Sequence, residues 1–128
     1  VDIADIGDAG GLQNSATAGS LYIALHTADP GEAGNATTSE SAYGSYARQA
    51  VARSGAGWTV SGNSATNAAL IQFPECTSGS ETITHVSITT AVSGASKILY
   101  SGALSASRSV SSGIQPQFAA AALTVTED

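Results

Sequence analysis

Few side chains in this sequence are equipped for chemistry. They are His26, His85, the single Cys76, and the carboxylates Asp29, Glu32 and Glu40, which fall in one Gly/Asn/Ser/Thr-rich stretch. Nucleophilic catalysis needs a Ser, Thr or Cys beside a His base that a carboxylate orients. No Gly-x-Ser-x-Gly elbow frames any serine, and serines this abundant make a chance Ser-His pair uninformative. Both histidines therefore read as satisfied or exposed strand residues. Two histidines and one cysteine on separate segments also lack zinc-site spacing. Asp29, Glu32 and Glu40 could supply the carboxylate pair of a glycoside hydrolase, yet acidic residues in such a loop read first as solvated. Asp2, Asp5 and Asp8, three apart, lack the alternating oxygen register of a calcium loop. There is no Gly-Lys-Ser/Thr phosphate cradle and no dinucleotide fingerprint. Neither catalytic residues, metal ligands nor a cofactor are expected, and Cys76 reads as a small buried residue.

The elements that must carry these residues start at Ser20. Leu21, Ile23 and Leu25 alternate with Tyr22, Ala24 and His26, the period of a strand buried on one face. The pattern stops at Asp29-Pro30-Gly31, which is turn chemistry. A loop too long for an ordinary hairpin follows, read as functional or mobile, until strand character returns at Tyr46 to Val51. Further on, short strands are predicted around Trp58 to Val60, Ser64 to Phe73, Thr82 to Thr90, Lys97 to Leu104, Ser107 to Val110, Gln117 to Ala119 and Ala122 to Thr126. Gly, Ser and Pro separate them. The predicted fold is all-β, a single antiparallel β-sandwich or jelly roll over residues 20–128 with an extended N-terminal arm, residues 1–19.

Composition bounds the core. In 128 residues there is room for one domain, and apolar residues make up 42%, but alanine dominates them and Val, Leu, Ile and Phe together fall just under a fifth of the chain. Such a thin core is marginal alone, so docking on a partner or on further copies is expected to supply part of the stability. The net charge is −6 with only four basic side chains, which argues against a nucleic-acid partner. No apolar run approaches a membrane span and none reads as a leader, so no membrane partner is expected.

Two groups of residues are candidate interface. In the arm, Ile3, Ile6 and Leu12 are spaced so that a neighbouring surface could bury them, with Asp2, Asp5 and Asp8 facing basic groups or helix N-termini there. At the end of the long loop, Tyr43, Tyr46 and Arg48 are residue types favoured as interface anchors. The alternative is that these three close a core edge.

The ordered series LYIALHTADPGEAG, SYARQAV, IQFPECTSG, THVSI, LYSGAL and VSSGIQPQFAAAALTVT, spanning about residues 20 to 127, resembles a family of small virion proteins of tailed bacteriophages. Its members are described as tail-fibre-like or as head decoration (cement) proteins. The resemblance implies a protein made in the host cytoplasm and carried on the virion. Its first implication is a homotrimer on the capsid surface that binds the major capsid protein lattice and stabilises it. A tail-fibre-associated or adaptor subunit is the second. A carbohydrate-binding β-sandwich, with Trp58 or Tyr43 stacked on sugar, is the reading from another class.

Overall fold

The computed structural model describes residues 20–52 and 55–126. Among these the chain is all-β, with nine strands and no helix: β1 Ser20–His26, β2 Gln49–Ala52, β3 Trp58–Ser61, β4 Ser64–Asn67, β5 Ile71–Gln72, β6 Ser80–Thr89, β7 Ile98–Ser111, β8 Gln117–Phe118 and β9 Thr124–Thr126. They form a four-stranded sheet in the order β2–β1–β6–β7, a three-stranded sheet β3–β4–β9 and a pair β5–β8. The pairings β1–β6, β6–β7, β3–β4 and β4–β9 are all antiparallel, as the short-strand pattern predicted. The arm, residues 1–19, lies outside the described residues.

The described chain gathers into two compact units. The larger spans residues 22–50 and 72–116. In it β1 meets β6 with Ile23 opposite Ile88 and Leu25 opposite Val86, and these four side chains are buried. The period-two reading expected the other face of β1 to be open. Instead Ala24 and His26 are fully buried as well, and the long loop folds back on the strand at His26. Thr27 N–H donates to Ser39 O at 2.8 Å and Ser41 N–H to Leu25 O at 2.8 Å, with His26 bridged to Glu40.

Sequence punctuation also predicted two strands where β7 is one. The register explains the difference: Ala103 faces His85 and Arg108 faces Ile83, so Leu104 to Ser107 stand opposite Thr84 alone. The strand bulges there and resumes without ending. The expected strand from Ser64 to Phe73 is, by contrast, divided into β4 and β5 by a bend after Asn67.

The smaller unit contains the β3–β4–β9 sheet within residues 51–71 and 117–126. Asn67 organises it. Its amide donates to Ala69 O at 2.8 Å and Ala119 O at 2.9 Å, and its side-chain oxygen accepts Leu123 N–H at 2.9 Å. Buried polar groups need such partners, and Asn67 supplies them to three separate backbone positions. Trp58, opposite Asn67 across β3 and β4, is 1% exposed. Its indole N–H has no acceptor among the described residues.

Candidate functional site

The polar residues singled out by chemistry and by interface propensity meet at the long loop of the larger unit. Arg48, just before β2, turns inward and is 5% exposed. Its Nε donates to Glu40 Oε2 at 2.6 Å and Nη2 to Glu40 Oε1 at 2.9 Å, a two-point grip on one carboxylate. The remaining donors go to Ala91 O at 2.9 Å, Gly94 O at 2.8 Å and Ser96 Oγ at 3.3 Å. A guanidinium has five N–H groups, and here each has an acceptor. The Glu40 hydrogen bonds hold the Arg48 pKa above its ordinary value despite burial. Glu40 Oε2 also accepts the Tyr46 hydroxyl at 2.8 Å, and that hydroxyl oxygen accepts Leu25 N–H at 3.1 Å. One ion pair thus ties the loop to β1 and to the turn between β6 and β7.

A second anchor lies within the same part of the loop, between Glu40 and Arg48. Glu81 Oε1 accepts Ala42 N–H at 3.0 Å and Tyr43 N–H at 2.9 Å, together with the Ser41 hydroxyl. Tyr43, 4% exposed, donates to Pro74 O at 2.7 Å, and Ser45 donates to Glu75 O. Gly44 N–H reaches Ser78 O at 2.9 Å, and its carbonyl accepts Thr77 N–H at 3.1 Å. This close approach excludes a side chain, since a Cβ on Gly44 would sit 2.1 Å from Ser78 Oγ. The Tyr43 and Tyr46 rings meet edge to face at 5.5 Å, and Tyr46 stacks on Phe73 at 6.3 Å. Burial pushes the Tyr43 phenol up to about 12 and the Tyr46 phenol higher still, so both hydroxyls remain donors.

His26 sits beneath the loop with both ring nitrogens engaged, Nδ1 with Thr38 O at 2.9 Å and Nε2 with Ser87 Oγ at 2.7 Å. A carbonyl only accepts, so Nδ1 carries the proton and, in the neutral ring, Nε2 accepts the Ser87 hydroxyl. Burial lowers the His26 pKa below 6.5, outweighing the opposing effects of the Thr38 carbonyl and Glu40. The Ser87 hydroxyl does meet a His base here, but Ser87 is 1% exposed and His26 is fully buried, so no substrate reaches the pair from solvent and the arrangement fixes a loop. Asp29 Oδ1 accepts Gly31 N–H at 2.9 Å and Glu32 is exposed, so the proposed carboxylate trio is dispersed among separate tasks. Among the described residues no three His, Cys, Asp or Glu side chains converge as metal ligands.

Residues 9–126, which contain every strand above, match a protein-family model described as "Podophage GP4 fiber I protein gp80". The chain belongs to this podophage fibre family. It is therefore a bacteriophage virion protein of structural type. No curated protein matches the chain. In this fibre-family protein, three of the nine predicted interface residues lie in the described region. Tyr43 and Arg48 are buried and Tyr46 is half-buried, brought together with Glu40. Asp2, Ile3, Asp5, Ile6, Asp8 and Leu12 lie outside the described residues. Sequence reasoning missed the roles of Glu40 and Glu81. The available signal was charge scarcity: with four basic side chains in the chain, an arginine ending a loop that holds a glutamate is a candidate partner for it.

Proposed function

We propose that this chain is a structural, non-enzymatic subunit of the tail-fibre apparatus, present in several copies and contributing a rigid β scaffold whose long loop is fixed in its C-terminal part before assembly. The observation that carries the reading is the match of residues 9–126 to a family described as a fibre protein. That description favours the fibre over the capsid surface, where a cement protein would sit. The loop supports a scaffold role. Its length suggested mobility, yet Glu40, Glu81, Tyr43 and Arg48 tie down its C-terminal part, so a partner meeting that part of the surface would not have to order it.

The sugar-binding alternative needs an aromatic face open to solvent. Trp58 and Tyr43, the rings it relied on, are 1% and 4% exposed.

Gold-labelled antibody to this chain on purified virions tests the proposal. Label confined to the tail is expected. Label spread over the head would overturn it and restore the decoration reading.

A further inference from the structure

The first part of the long loop, residues 28–38, is tied down differently from the part beyond it. Thr27 N–H closes the base of the segment on Ser39 O at 2.8 Å, Ala36 N–H reaches Ser96 O at 2.9 Å, and Thr38 O accepts the His26 Nδ1–H at 2.9 Å. Further hydrogen bonds run within the segment, from Gly31 N–H to Asp29 Oδ1, from Gly34 N–H to Gly31 O and among Asn35, Thr37 and Thr38. These would move with it. At its C-terminal root Ser39 has a φ of 54°, a left-handed backbone that a serine adopts only when its surroundings hold it there. Beyond Ser39 the chain is gripped by side chains instead, Glu40 by Arg48 and the Ala42 and Tyr43 amides by Glu81.

His26 lies under this segment in a setting that suits only the neutral ring. Among the described residues the carboxylate that faces it from the loop, Glu40, already pairs at two points with Arg48, the cation that faces it from just before β2. Tyr46 keeps its proton there and donates it to the same carboxylate. From β6 come Ser87, whose hydroxyl the ring accepts, and the half-exposed His85, directly opposite His26 in register. Burial, Arg48 and His85 all work against a charge on His26, and burial outweighs the support from Thr38 O and Glu40. A proton on Nε2 would also turn that atom into a donor, so the Ser87 hydroxyl would lose its acceptor in a place closed to water.

We propose that His26 is an acid-sensitive latch on residues 28–38, and that a proton on its ring releases this segment while the strands and the loop beyond Ser39 stay folded. Release gives the ring water and uncovers Pro30 and Ala36, both buried in the latched form. The sign follows from linkage. The latched form disfavours the charge, whereas a ring open to solvent titrates near its ordinary value of 6.5. The ratio of released to latched chain is therefore flat above 6.5 and rises as pH falls below it, by at most about tenfold per pH unit. The inference stands apart from the fibre reading and is tested on purified chain, so its failure leaves the placement on the virion untouched.

The test is native-state hydrogen exchange of the full-length chain, read by NMR at pH 7.5 and pH 5.5 and corrected for intrinsic exchange rates. Ala36 N–H reports on the segment, and Ser41 N–H and Tyr43 N–H report on the loop beyond it. Protection at Ala36 is expected to fall by about two- to tenfold at the lower pH, with Ser41 and Tyr43 unchanged. In wild type the His26 ring titration should share its midpoint with the change at Ala36. His26→Gln, whose amide can donate to Thr38 O and accept from Ser87 without titrating, should remove the change. Protection at Ala36 that ignores pH, an equal loss at Ser41 and Tyr43, or a loss that persists in His26→Gln would each overturn the proposal. Should that variant fail to fold, a His26 midpoint in wild type that differs from the midpoint at Ala36 overturns it equally.

Discussion

Arg48 and Glu40, eight residues apart in the chain, form a two-point ion pair whose other hydrogen bonds reach Ala91, Gly94, Ser96 and Tyr46. A pair so placed draws its effect from what it joins. Removing one partner strands a desolvated charge, while removing both leaves mainly a packing defect.

Arg48→Met should therefore destabilise the chain by about 3 to 5 kcal/mol, the range for breaking a buried pair. Glu40→Leu combined with Arg48→Met should cost less than the sum of the single changes by at least about 1 kcal/mol. Urea denaturation of the four proteins measures this coupling directly.

Stability should fall in mild acid through His26. Its folded pKa is depressed below the unfolded value of 6.5, so its neutral form is favoured by folding. The contribution is complete above 6.5 and is lost as pH falls from there toward the folded value, with a slope of up to about 1.4 kcal/mol per pH unit. Thermal melts at pH 7.5 and pH 5.0 should differ more for wild type than for His26→Gln, in which that titration is absent.

Two glycines should respond oppositely to alanine. At Gly57 a Cβ would stand 2.1 Å from the Ala52 carbonyl oxygen and 2.8 Å from Val51 Cγ1, a collision with backbone that costs about 1 to 3 kcal/mol. At Gly102 the space is empty, so Gly102→Ala should lie within about 0.5 kcal/mol of wild type, as surface substitutions do. Melting temperatures of the two variants provide the comparison.

Asn67→Ala deprives Leu123 N–H, Ala69 O and Ala119 O of their side-chain partner. The Leu123 N–H, buried and then unpaired, costs about 1 to 3 kcal/mol, whereas the carbonyls of the exposed Ala69 and Ala119 can turn to water. Hydrogen exchange should show the Leu123 amide losing protection, with wider loss across β9 and β4. Unchanged exchange there would show that Asn67 does not hold the unit.

The strands of this fold were legible where one residue type repeats at one period. Leu21, Ile23 and Leu25 announce β1, and Asp29-Pro30-Gly31 announces its end. What covers the other face of β1 was not legible, because His26 is covered by a loop that returns from positions 38 to 46 with no periodicity of its own. The continuity of β7 was hidden for a related reason. Ser105 and Ala106 read as a break, yet a bulge that sets Leu104 to Ser107 opposite Thr84 absorbs them. Tyr43, Tyr46 and Arg48 were recognisable as a group. Their inward orientation depends on Glu40 and Glu81, whose roles are set by contacts across 8 and 38 residues of chain.

The most direct test of the fibre reading is the copy number of this chain in intact virions, measured against the major capsid protein by quantitative mass spectrometry. A structural fibre subunit should be present in a small number of copies per particle and should follow the tails when heads and tails are separated. Hundreds of copies per particle that remain with the heads would contradict the account.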